Sequence, residues 1–148
     1  MTSPDQALLE TLMHRCIELA RRAKERGERP VGAVIARGGR IVAEGMEAGK
    51  AKQDVTRHAE VEAIAEARKA LGTADLSDCI LVTTHEPCIL CSYAIRHHRI
   101  PLVVFGVAVG EIGGYSSELA VLKDRTVKRW GEPPEVIGEV LEEECRGV

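Results

Sequence analysis

The chain has 148 residues, 45% hydrophobic and 29% charged, a balance outside the disordered and collagen-like ranges and suited to one domain over residues 1–148. Its net charge is −3, and the closing stretch GEPPEVIGEVLEEECRGV carries six glutamates against one arginine, so nucleic acid is an unlikely partner on charge alone. No basic segment followed by an apolar core opens the chain, no apolar run approaches roughly 18 residues, and five cysteines argue against a disulfide framework; a cytoplasmic protein without membrane contact is expected.

In chain order, SPDQALLETLMHRCIELARRAKERGERP opens as a helix. Ser3 is placed to cap it, Pro4 suits its first position and Gln6 completes a capping box. Leu8, Leu9, Leu12, Cys16, Leu19, Ala20 and Ala23 then give it one apolar face, and it should stop between Gly27 and Pro30. VGAVIARGGRIVAEG reads as a hairpin turning at Gly38-Gly39. After a polar loop, TRHAEVEAIAEARKALG has helical spacing and a stop at Gly72. CILVTT is a short buried strand, Cys88 to about His98 a helix, PLVVFGVAVG a second buried strand and SSELAVLKD a short helix. A last helix is expected from after Pro133-Pro134 to about Cys145. Strand-to-helix alternation after a hairpin indicates a three-layer α/β/α sandwich on a mixed sheet.

Two motifs carry chemistry. His58-Ala59-Glu60 begins the central helix, and Pro87-Cys88-Ile89-Leu90-Cys91 begins the next; H-x-E followed by P-C-x-x-C is the signature of zinc deaminases. Cysteines at i and i+3 share a helix face, and a histidine from a neighbouring helix start adds a third ligand. Zn2+ suits two thiolates and one imidazole, and three protein ligands leave a tetrahedral position for water, whose pKa the metal lowers to about 7. Glu60, two residues from His58, can take a proton from that water and return it to a ring nitrogen and to departing ammonia. The backbone amide of Ala59 and the carbonyl of Pro87 are candidate contacts to the ring. Two other readings of the cysteine pair stand beside this one. They are a thioredoxin-like dithiol, and a closed structural zinc site with Cys79, His85, His97 or His98 as fourth ligand.

From about residue 8 to about residue 122, the segments PVGAVI, DVTRHAEVEAI, TTHEPCILCSYAI and RIPLVVFGV occur in the order and at the spacing of a known family. The chain resembles the cytidine deaminase-like superfamily, in the branch of tRNA adenosine, guanine and yeast-type cytosine deaminases. The resemblance implies five strands in the order 2-1-3-4-5, zinc on His58, Cys88 and Cys91, Glu60 as proton shuttle, and a homodimer. Val55 stands where relatives carry a turn proline. Glu47 stands where they carry an asparagine that hydrogen-bonds the substrate; a glutamate offers acceptors only, so it would read an amino or ring N–H group, unless the loop is shifted and Glu47 is solvated. His85 and Trp130 are further candidates for lining the pocket, against bland roles in capping a strand end and packing the last helix.

The expected activity is hydrolytic deamination of a free nucleobase or related amino-heterocycle, with guanine-like, cytosine-like and triazine rings as candidates. Deamination of tRNA adenosine is the alternative, set second because of the acidic C-terminal stretch. A non-catalytic, zinc-stabilised interaction module is a third reading, disfavoured because it leaves Glu60 without a role.

Overall fold

The computed structural model describes residues 4–148. Helix α1 (Gln6–Glu25) starts at Asp5, whose carboxylate accepts the Leu8 N–H at 2.8 Å. The expected cap, Ser3, lies outside the described residues. Gln6 closes no capping box, because it is already the first helical residue and its amide donates to Glu10 one turn on. Leu9, Leu12, Cys16, Leu19, Ala20 and Ala23 of the predicted stripe are buried, Leu8 is half-buried, and Met13 and Ile17 join them.

Strands β1 (Gly32–Arg37) and β2 (Arg40–Met46) form the expected hairpin. Gly38 and Gly39 turn it with φ of 59° and 79°, positive values that two consecutive glycines adopt without steric cost. Helix α2 (Ala59–Leu71) ends at Gly72 in the left-handed conformation. A side chain at Gly45 of β2 would collide with the backbone of Ala59 and Ala63. The glycine therefore lets the first turn of α2 lie directly on the sheet, which fixes where His58 emerges.

Strand β3 (Cys79–His85), helix α3 (Ile89–His97) and strand β4 (Leu102–Val107) follow as expected. The strand order is β2-β1-β3-β4-β5, antiparallel on both sides of β1 and parallel from β3 to β5. Alternate residues of β1, β3 and β4 face opposite layers. Val34, Val82 and Val104 pack with α1, while Ala33, Leu81 and Val103 pack with α2 and α3. This is the three-layer, five-stranded mixed sandwich. No helix among the described residues is long and apolar enough to cross a membrane.

The last forty residues depart from the sequence reading. SSELAVLKD forms a single 3₁₀ turn, Val121–Lys123, and the carbonyls of Val121 and Asp124 are taken by the Arg96 side chain. Pro133-Pro134 leads into a strand, β5 (Glu135–Ile137), rather than a helix. The open edge of β4 offers ladder partners at Leu102, Val103 and Val104, and Val136 and Ile137 suit a strand. Only five residues of the expected last helix are helical, α4 (Glu142–Arg146), after Leu141 with a φ of 50°.

Candidate active site

The parallel strands deliver the chain to their carboxyl ends, where open α/β sheets hold ligands. His58 is the N-cap of α2 and Cys88 the N-cap of α3, both in extended conformation and neither spending its side chain on capping. Their side chains are therefore free to converge. His58 Nδ1 lies 3.4 Å from Cys88 Sγ and 3.3 Å from Cys91 Sγ, and the three ligand atoms all fall within 4.8 Å of one another. Zinc bonds of about 2.3 Å to sulfur and about 2.0 Å to nitrogen place tetrahedral donors about 3.5 to 3.8 Å apart, so this set fits one Zn2+ ion with little movement.

Among the described residues no fourth histidine, cysteine or carboxylate joins the cluster. Cys79 begins β3 at its far end, His97 stacks on Tyr93, and His98 is engaged by the Ala94 carbonyl and Arg68. His85 bonds the Thr84 hydroxyl through Nδ1 at 2.9 Å. The geometry is that of a three-ligand centre, with neither the closed fourth ligand nor the unaccompanied dithiol of the other readings.

Glu60 is 3% exposed and burial pushes its pKa up to about 7. Its Oε2 accepts the Thr83 hydroxyl at 3.0 Å, and its Oε1 lies 3.8 Å from Cys91 Sγ. A buried carboxylate beside the ligand set thus sits near neutrality, suited to taking and giving a proton. Hydrogen bonding from Cys91 and then from His58 draws Cys88 down to about 4, while the bond to Cys88 and burial push Cys91 up. The bond to Cys88 also raises the His58 ring above its ordinary value. The N-termini of α2 and α3 add positive dipole ends beside these groups.

A cavity of about 280 Å³ opens on this cluster, near the lower end of the range for small-molecule pockets and sized for a single ring system. Glu47 and His85 line it, as expected from sequence. Burial raises the Glu47 carboxyl and lowers the His85 imidazole, which favours a neutral ring there. Ala59 is fully buried at the first turn of α2. The Pro87 carbonyl, expected to face a substrate ring, already accepts the Gly114 N–H at 2.8 Å and the Ser92 hydroxyl at 3.3 Å. Trp130 does not line the cavity: its ring packs under the Arg96 guanidinium at 4.9 Å and meets Tyr93 edge-on. Sequence reasoning missed Arg29, Glu86, Val109 and Ile112 as lining residues. Arg29 directly precedes the PVGAVI segment and Glu86 directly precedes Pro87, so adjacency to the motifs was the available signal.

The family description of the cytidine and deoxycytidylate deaminase zinc-binding region matches residues 6–107. A tRNA-specific adenosine deaminase of Bacillus subtilis is 40% identical over 139 residues, covering 94% of this chain and 84% of that protein. A tRNA(Ile)-lysidine synthase of Deinococcus deserti is 39% identical over 95% of this chain, which spans only 26% of that protein's length. Among solved structures, one from biochemical and structural studies of A-to-I editing by tRNA:A34 deaminases, at the wobble position of transfer RNA, superposes with a TM-score of 0.86 at 31% identity. That superposition covers 93% of this chain and 97% of the other. Zinc is accordingly the metal that the donor set serves. One imidazole, two thiolates and a carboxylate converge at two helix starts on this sheet, within the matched stretch. On both grounds the chain belongs to the cytidine and deoxycytidylate deaminase family of zinc-dependent hydrolytic deaminases, in the branch that includes the tRNA adenosine deaminases.

Proposed function

We propose that this chain hydrolytically deaminates adenosine in tRNA, converting it to inosine at the wobble position. The observation that supports this most is the 40% identity with a tRNA-specific adenosine deaminase over 94% of the chain. The fold shared with a structure from work on tRNA:A34 deaminases supports it further. The expectation of a free nucleobase as substrate is corrected by those same relatives, and so is the expectation that nucleic acid is an unlikely partner.

The charge argument failed because it averaged over the molecule. Up to Arg57 the chain carries eleven Lys and Arg against eight Asp and Glu, and beyond it nine against fifteen. The basic excess belongs to the segment that ends α1 and reaches the cavity rim through Arg29. Five exposed basic residues, Arg21, Arg22, Lys24, Arg26 and Arg29, cluster there. The acidic residues 142–144 lie in α4, on the same face of the sheet as α1, whereas Arg26 and Arg29 follow the end of α1 and Arg29 reaches the cavity. A local basic surface suffices to meet phosphates whatever the total charge.

In this reading His58, Cys88 and Cys91 hold zinc, which supplies Lewis-acid activation of water near neutral pH. An adenosine turned out of its loop enters the cavity as a single base, the geometry that deaminases of this chemistry require. Glu60 takes one proton of the attacking water and passes it to the ring nitrogen, then takes the second from the hydroxyl of the tetrahedral adduct and gives it to the amino group, which leaves as ammonia as the C–N bond breaks and the carbonyl forms. Thr83 orients the Glu60 carboxylate through the 3.0 Å bond. Glu47 and His85 face the base edge or its ribose from the cavity wall, and the Ala59 amide at the start of α2 is the proposed backbone donor to the ring. We also propose the homodimer that the resemblance implies; α3 presents Leu90 and Tyr93 outward, 41% and 55% exposed.

The test uses the zinc-loaded chain with an anticodon stem-loop carrying adenosine at the wobble position, alongside free adenine, guanine and cytosine. Inosine at that one position, with no ammonia from the free bases, is expected. Ammonia from a free base with the stem-loop left intact would overturn the reading.

A further inference from the structure

Glu86 lies between His85 and the Pro87-Cys88 pair, is 2% exposed, and serves neither as ligand nor as proton carrier in the scheme above. Its carboxylate is nevertheless saturated. Oε1 accepts the Val109 N–H at 3.1 Å and the Ser116 hydroxyl at 2.7 Å. Oε2 accepts the Tyr115 N–H at 2.9 Å and the Ser116 N–H at 2.7 Å. All four donors come from one segment, residues 109–116, which has almost no regular structure of its own.

Neighbouring contacts fasten the same segment along its length. The Glu86 N–H donates to the Val107 carbonyl at 2.7 Å, the Gly114 N–H donates to Pro87, and Cys88 forms an isolated β-bridge with Gly113. A side chain at Gly113 would overlap the Glu86 carboxylate itself, so the loop backbone lies as close to it as atoms allow. Two residues of this loop, Val109 and Ile112, line the cavity beside His58 and Glu60, and Ile112 is 50% exposed. Glu86 supplies four of the hydrogen bonds that hold them there, and a loop of this kind orders only through the partners of its polar backbone.

We propose that Glu86 is a positioning residue for substrate binding: it holds residues 109–116 as a fixed wall of the cavity, with Val109 and Ile112 set to pack on the face of the incoming base. The wall is built before substrate arrives. A carboxylate is needed because it accepts four hydrogen bonds on two oxygens, whereas an amide in its place turns one acceptor into a donor facing N–H groups. This inference rests on the cavity being the site of base binding proposed above.

The experiment compares Glu86→Gln and the milder Ser116→Ala with the parent chain, all zinc-loaded. Backbone hydrogen exchange is read without RNA, and kcat and KM are read on the stem-loop substrate. In Glu86→Gln the amides of Val109, Tyr115 and Ser116 should exchange faster, and KM should rise about tenfold, within the up to roughly hundredfold cost of a reacting group misplaced by about 1 Å. The zinc content and kcat should stay near the parent values. Ser116→Ala, which removes one of four donors and folds on the remaining three, should move both readouts the same way by less. Unchanged exchange in Glu86→Gln would show that Glu86 does not hold the wall. Faster exchange with unchanged KM, or with a loss confined to kcat or zinc, would show that the wall does not serve binding. A parent chain that leaves the stem-loop adenosine intact refutes the tRNA reading separately, while the exchange arm still decides whether Glu86 holds the loop.

Discussion

Residues 6–107 and residues 108–148 are ordered by different physics. The first stretch consists of long elements whose periodicity is visible in the sequence and whose apolar faces bury against one sheet. The second holds three 3₁₀ turns, a three-residue strand and a five-residue helix. Beside the β5 pairing and the burial of Leu122, Val140 and Cys145, two buried charges supplied by the first hold its irregular segments. Glu86 gathers the backbone of residues 109–116, and Arg96, also 2% exposed, donates to the carbonyls of Val121, Asp124 and Gly131. The chemistry sits in the self-ordering part. The part that must be held supplies a wall of the cavity and an edge strand. A catalytic centre can therefore be motif-borne while the shape around it is set by single polar anchors far away in sequence.

The largest effect should come from the first region. Glu60→Ala should lower turnover by about 10² to 10⁴ while the metal content measured by emission spectrometry stays at the parent level, because a proton carrier is lost and no ligand is. Retained turnover would remove Glu60 from the scheme. Arg96→Met tests the second region: three carbonyls lose a charged donor, so denaturant unfolding should show a loss of about 3 kcal/mol or more. The exchange of residues 121–131 should rise with it, and the zinc content should not change. A stability unchanged from the parent would break the contrast between the two regions.

A smaller, cleaner effect is expected at Thr83, whose hydroxyl donates to Glu60 from a fully buried position on β3. Thr83→Val keeps the shape and should reduce kcat about tenfold with KM unchanged, since a hydrogen bond to a charged group contributes about 1.5 to 3 kcal/mol. Thr83→Ser should restore the rate; if serine behaves like valine, the hydroxyl is not the reason. The smallest effect lies farthest from the site. Asp5→Ala removes the cap of α1 and should cost about 1 kcal/mol of stability with activity untouched. A loss of activity there would mean that the two regions are coupled through α1.

The fold as far as β4 was legible because its signals are local: a helical stripe, a Gly-Gly turn, glycine stops and two apolar strands. The candidate metal ligands that the structure brings together were legible because the spacing of Cys88 and Cys91 and the pairing of His58 with Glu60 are constraints that helix starts impose directly. Glu86 and Arg96 look like ordinary charged residues in sequence, and only their burial shows what they hold. Trp130 is a pocket candidate in the sequence because aromatics are scarce in this chain, beside a packing role; it packs, not on the last helix but on Arg96 in the anchored segment. The Pro87 carbonyl, a candidate ring contact in the sequence, accepts from the loop it fastens. The partner was misjudged because total charge carries no information about which face bears it.

The central claim is a zinc centre with three protein ligands and one position left for solvent. X-ray absorption at the zinc edge on the loaded chain reads this directly. Two sulfur and two light-atom neighbours, at about 2.3 Å and about 2.0 Å, are expected with one ion per chain. In Glu60→Ala that shell should persist. A third sulfur, or no bound zinc at all, would contradict the account.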